Sequence, residues 1–128
     1  MTIYDRDPNF EARITILTEA EGGRRTPPLQ GIRWDFRYAT DQAGDPIYMI
    51  HPQFLADDGT ALPERFPLHG TLYARMFIVI PEMVPYHLER LAVGTKFFCV
   101  EGAHACAKGE VTKIFDHLDT ADQPPSGF

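Results

Sequence analysis

Residues Thr71 to Ile80 place Leu72, Ala74, Met76, Ile78 and Ile80 on one side and Thr71, Tyr73, Arg75, Phe77 and Val79 on the other, stopping at Pro81. A period of two sustained over this length is the pattern of a β-strand. The second face is mostly apolar as well, so the strand belongs inside a sheet rather than at an edge. Phe10 to Thr18 repeats the pattern, with Phe10, Ala12, Ile14 and Ile16 against Glu11, Arg13 and Thr15. Ile32 to Tyr38 reads as a further strand rich in aromatics, reached after a Gly22-Gly23 turn and a Pro27-Pro28 bend that no central strand tolerates. Thr95 to Glu101 and His104 to Phe115 form a hairpin turning at Gly102-Ala103. Ala43 to Phe66 is broken by Gly44, Pro46, Pro52, Gly59 and Pro63, which leaves one short strand at Ile47 to Ile50 inside an irregular connection. Pro85 to Leu91, with proline at its start and Gly94 beyond its end, predicts a helix of about two turns. The expected fold is all-β: a small closed antiparallel β-barrel of about six strands with at most one short helix, closure removing the exposed strand edges.

With 128 residues there is room for one domain. The expected division is an N-terminal extension over 1–9, a barrel over 10–116 and a tail over 117–128 dominated by Asp, Pro, Ser and Gly. The longest apolar runs fall far short of the roughly 20 residues of a membrane span. Met1 to Pro8 lacks the basic, apolar and small-residue order of an export signal, so the expectation is a cytoplasmic protein without a membrane partner.

A formal net charge of −6 and a pI near 5.2 disfavour a nucleic-acid backbone as the main partner. The charge is unevenly spread. Between Gly22 and Tyr38, Arg24, Arg25, Arg33 and Arg37 face the single acid Asp35, whereas Asp116, Asp119 and Asp122 lie in the tail. Arginines of this kind hold phosphate oxygens bidentately, and Trp34 and Phe36 beside them can stack on a base. The competing use is a rigid turn, with Trp34 and Phe36 facing the core and Arg33 paired with an acid such as Asp35. Both uses stay open at this level.

Cys99 and Cys106 are equidistant from the Gly102-Ala103 turn. A two-residue hairpin sets them opposite each other at a hydrogen-bonded position, where a Cα separation of about 5.5 Å strains a disulfide. Two thiols filling space are therefore expected. His51, His69, His87, His104 and His117 are scattered, without metal-ligand or nucleophile-base spacing, and read as surface histidines. Asp57-Asp58-Gly59 is a turn without the spacing of a calcium loop, and Met76, Phe77, Ile78 and Met83 read as core filling. No residue is assigned to catalysis, to a cofactor or to a metal.

Taken in order, Phe10-Glu11-Ala12-Arg13-Ile14-Thr15-Ile16-Leu17, Gly22-Gly23-Arg24-Arg25-Thr26-Pro27, Gly31-Ile32-Arg33-Trp34-Asp35-Phe36, Thr95-Lys96-Phe97-Phe98 and Gly109-Glu110-Val111-Thr112-Lys113-Ile114 resemble the C-terminal β-barrel domain of elongation factor Tu. The likeness runs from about residue 10 to residue 116 and is thinnest between Ala39 and Leu68. In that family the barrel packs on a GTPase domain, contacts the exchange factor and touches the T-stem of aminoacyl-tRNA. The resemblance brings no GTP hydrolysis with it, because the chain has no Gly-x-x-x-x-Gly-Lys-Ser/Thr loop. The family's T-stem contacts correspond here to Arg33 and to Glu101-Gly102. The chain departs from the family pattern at Ala103-His104, and at Trp34-Asp35 it carries an acid where the family has an amide.

The candidate macromolecule-binding residues are Arg24, Arg25, Arg33, Trp34, Glu101, Gly102 and Lys108. The expectation is a free-standing, non-catalytic module for a protein partner, translation-associated by the resemblance. The alternative is an RNA-binding module using the Arg24 to Phe36 face together with Lys108, which net acidity disfavours. A homodimer through a barrel flank is compatible with either. A third reading, an enzyme, rests on His51, His69 and the irregular loop between them.

Overall fold

In the computed structural model, which describes residues 6–42, 45, 48–102 and 104–115, alternation has become closure. The strands are β1 (Phe10–Ile16), β2 (Trp34–Tyr38), β3 (Tyr48–Phe54), β4 (Thr71–Ile78), β5 (Lys96–Glu101) and β6 (His104–Ile114). They pair antiparallel in the order β1-β4-β3-β2-β5-β6, and β6 returns to β1 to complete a closed barrel. One helix, α1 (Val84–Arg90), follows a 3-10 turn at Pro81–Met83. Among the described residues no helix is long and apolar enough to cross a membrane.

The strands coincide with the expected ones but end earlier, at Ile16 and Ile78, and β2 begins at Trp34 rather than Ile32. The larger correction is β3, which runs from Tyr48 through Pro52 to Phe54 instead of stopping at Ile50. Pairing explains why a proline is tolerated there. β2 leaves β3 after the Trp34/Ile50 pair, whereas β4 stays alongside as far as the Ala74/Phe54 pair. The Leu55 N–H reaches Tyr73 on β4, while the Phe54 N–H points to the other side, onto Gln30 Oε1. By alternation the missing N–H of Pro52 faces the edge that β2 has vacated, so no ladder bond is lost. The hairpin turn expected at Gly102-Ala103 includes Ala103, which lies outside the described residues, as do Ile47 and the tail 117–128.

Inward side chains of all six strands meet in one core that includes Phe10, Ile14, Phe36, Phe54, Met76, Phe97 and Val111. At its centre Phe36 and Phe97 stack with ring centroids 4.6 Å apart, and Phe10 meets both edge-on at 6.1 and 6.3 Å. Phe97 pairs across the hairpin with Gly109. A Cβ at Gly109 would lie 2.3 Å from the Phe97 ring, so only glycine leaves that ring its place. Met76 and Ile78 lie in the core and Met83 packs partly buried against it, whereas Phe77 is buried on the other face of β4, with the Arg6 guanidinium 5.4 Å from its ring centre. Asn9 belongs to the barrel rather than leading into it. Its Oδ1 accepts from the Ile78 N–H at 2.8 Å and from Arg6 at 2.9 Å, and its own N–H donates to Met76.

The barrel end reached by Tyr38 is sealed by α1. Contrary to the expectation of a surface position, His87 is only 3% exposed there, its Nδ1 2.7 Å from Tyr38 Oη. Arg90 lies over the Tyr38 ring at 3.9 Å and donates to Asp41 Oδ1 at 3.1 Å, while Asp41 Oδ2 accepts from the Tyr38 N–H. Tyr48 donates to Tyr86 at 2.9 Å, and Arg90 also donates to Tyr86. Burial, reinforced by the Arg90 charge, pushes the His87 pKa down to about 4.

Two outcomes are expected. In the unfolded chain His87 regains its ordinary pKa near 6.5, so the unfolded state takes up a proton first as pH falls. Stability should therefore drop between about pH 6.5 and 4 by roughly 3 kcal/mol from this group, and urea melts of His87→Gln should lack that increment. Gly109→Ala should lose roughly 1–3 kcal/mol in the same assay, because the Phe97 ring is wedged between Phe36 and Phe10 and has nowhere to move.

Candidate functional site

The opposite end of the barrel is closed by the segments 17–33 and 55–70, which carry most of the arginines singled out in the sequence. Gln30 joins the two. Its side chain is buried, with Nε2 donating to the Phe54 carbonyl at 2.8 Å and to the Leu62 carbonyl at 3.1 Å, and Oε1 accepting from the Phe54 N–H at 2.9 Å. The Gln30 backbone adds its N–H to Phe66 and its carbonyl to Arg65, and Leu29 bridges to Pro67. Three of the four hydrogen bonds that one amide can make are thus spent on pinning two irregular segments to the end of β3. Gly23 fixes the entry to this arrangement. A Cβ there would fall 2.2 Å from the Leu17 carbonyl oxygen, a backbone atom that cannot step aside.

Three of the expected binding residues form one cluster whose geometry is that of a brace. Glu101 Oε2 accepts from Trp34 Nε1 at 2.9 Å and sits 3.5 Å from Arg24 Nε. Trp34 is 2% exposed and meets Phe54 edge-on, and Phe36 is buried in the central stack. The structure thereby corrects the placement of Trp34 on a contact surface. The indole reaches the exterior only through its N–H, because the even positions of β2 point inward. Gly102 follows Glu101 in the hairpin turn with φ +63°. Arg25 is largely exposed and lies 3.5 Å from Glu19. Arg33 is exposed and, among the described residues, forms no ion pair with Asp35 or any other acid. Lys108 is not part of this group. It sits on the outer wall, between Phe98 of β5 and Thr15 of β1.

Two residues that sequence reasoning missed complete the face. Arg65 has φ +66°, the one described non-glycine residue with positive φ, and its N–H is held by the Gln30 carbonyl at 3.1 Å. A conformation costing roughly 1–3 kcal/mol persists here because the hydrogen bonds around it over-determine it. Phe66, its neighbour, is 45% exposed. An open depression of about 570 Å3 lies between Arg24 and Arg65, lined also by Leu29, Gln30, Ile32 and Glu64. No spacing rule predicts these contacts, because they arise where two loops distant in sequence meet.

The hairpin register also corrects the cysteine expectation. A shift between Cys99 and Val100 pairs Cys99 with Ala107, so Cys106 falls in the irregularity instead of opposite Cys99. Both are buried thiols. Burial, and next the Glu101 charge, raises the Cys106 pKa to about 11, which leaves it protonated and a poor nucleophile at neutral pH. Among the histidines, His51 and His87 are buried, whereas His69 and His104 are exposed. Burial lowers the His51 pKa, and the Arg33 charge adds to the effect. Among the described residues no three His, Cys, Asp or Glu side chains gather to hold a metal ion. No protein-family model matches the chain.

Gln30→Leu should remove the three side-chain hydrogen bonds and strand the partners they satisfy. The expected cost is roughly 2–4 kcal/mol by urea denaturation, with faster amide exchange of Phe54 while core amides on β1 and β4 keep their protection relative to global stability.

Proposed function

We propose that the protein is a non-catalytic binding module that receives a protein partner on the face formed by segments 17–33 and 55–70. The observation that carries this reading is the exposed Phe66 beside a depression with Leu29 and Ile32 in its lining and guanidinium groups at Arg24 and Arg65. Apolar contact area at the centre with arginines around it is the composition of a protein interface, and large aromatics and arginines contribute most of the affinity there. Bracing by Gln30, Gly23 and the Glu101 cluster supports the reading, since a preordered surface loses little conformational entropy on association. The resemblance to the last domain of elongation factor Tu belongs to the proposal. It suggests a barrel that acts by contact alone, in the cytoplasm, on a translation-associated partner.

RNA recognition by this same face is the weaker reading. Trp34 and Phe36 are both buried, which leaves no ring from β2 for a base to stack on.

A photo-crosslinking amino acid at position 66 tests the proposal, compared with the same group at Tyr73, which is 54% exposed on the β4 wall. Position 66 should give a discrete protein adduct that position 73 does not, and Arg65→Glu should abolish it. In binding assays with the isolated partner, Phe66→Ala should weaken affinity at least roughly 10-fold. Identical adducts from the two positions would reject the assignment of this face.

A further inference from the structure

Lys108 falls outside the loop-end face, and its surroundings form a second, distinct surface. The cross-strand register lays outward side chains in rows over β2, β5, β6 and β1. In one row Arg37 stands opposite Phe98, Phe98 opposite Lys108, and Lys108 opposite Thr15. In the next, Lys96 stands opposite Glu110 and Glu110 opposite Arg13. The rows border a shallow depression of about 280 Å3, lined by Arg13, Thr15, Lys96, Phe98, Lys108 and Glu110 among others. None of these lines the depression between Arg24 and Arg65.

Four cations therefore share this wall with one central acid, on a chain whose net charge is −6. Glu110 is engaged by Arg13 at 3.1 Å. Among the described residues Arg37, Lys96 and Lys108 make no ion pair. The flanking acids are Glu11 and Asp35, each two residues along its strand from Arg13 and Arg37, and Glu21, which feels the Lys108 charge. The Arg37 guanidinium lies 5.4 Å from the centre of the half-buried Phe98 ring.

We propose that this wall binds single-stranded nucleic acid. Lys96 and Lys108 supply positive charge for phosphates, and the guanidinium of Arg37 resting on Phe98 supplies a flat platform for a base. Strand spacing of about 4.8 Å and a rise of about 6.7 Å between alternate residues put these groups within a few ångströms to about a nanometre of one another, the scale of adjoining nucleotides. An aromatic ring set among unpaired cations is the combination that sequence-tolerant binding of single strands uses. An acidic peptide would use the cations but would leave the platform without a role. The surface is independent of the proposed protein-binding face.

The test is fluorescence anisotropy of a labelled uridine 12-mer RNA with the full chain at 50 and 200 mM salt. Two phosphate contacts should weaken binding roughly 7-fold across that range. Lys96→Glu with Lys108→Glu should abolish binding. Phe98→Leu, which keeps apolar packing and removes the ring, should weaken it roughly 10-fold. Arg65→Glu should leave binding unchanged, and unaltered urea midpoints will show that the variants are folded. Absence of binding at 50 mM salt overturns the proposal. So does displacement of the RNA by polyglutamate of equal charge together with a neutral Phe98→Leu, which would assign the wall to acidic peptides. Loss of binding in Arg65→Glu would assign the RNA to the other face.

Discussion

The barrel depends on the approach of the Phe97 ring to the bare backbone of Gly109. These two residues are cross-strand partners, and the missing side chain on one is the space taken by the other. With that ring lodged inside, Phe36 stacks on it and Phe10 closes against both, so three strands are tied together at the centre. Each such pair adds about 0.5–1.5 kcal/mol beyond the burial of its area. A small barrel has no room for a ligand once its interior is filled in this way. The consequence is functional: whatever the protein binds must be met on its outside.

The two ends are sealed by different physics. At the α1 end a neutral histidine, rings packed edge-on or tilted against it, and the Arg90–Asp41 pair form a plug whose polar atoms are largely consumed by one another. At the other end the seal is a pair of irregular segments, and a single buried glutamine holds them to each other and to β3. Backbone groups in such segments have no ladder to pair with, so a side-chain amide substitutes for one. The face this creates is rigid without being regular, and that allows Arg65 to sit in a left-handed conformation with Phe66 beside it.

Charge divides the same way. Arg24 and Glu101 are coupled to the buried Trp34 and act as bracing, whereas Arg33 and Arg65 hold no acid among the described residues. On the wall Arg13 is answered by Glu110, and its neighbours on β2, β5 and β6 are not answered. Electrostatic capacity for a partner therefore lies in particular side chains and not in the overall charge, which is acidic.

Alternation of apolar and polar residues, punctuated by Gly and Pro, was sufficient by itself for an all-β closed barrel, for the positions of β1, β2, β4, β5 and β6, and for a short helix near Pro85, because strand and helix periods are local properties of the chain. The same alternation gave the inward direction of Trp34 and Phe36 as one of two open readings. Tertiary structure decided between them, since burial depends on which strands lie on either side of β2. It also decided the passage of β3 through Pro52, the hairpin shift that separates Cys106 from Cys99, the burial of His51 and His87, and the parting of Lys108 from the arginines of segment 17–33. Gln30, Arg65 and Phe66 carried no local signal. Their roles arise from contacts between segments more than twenty positions apart, and closure of the barrel is what brings those segments together.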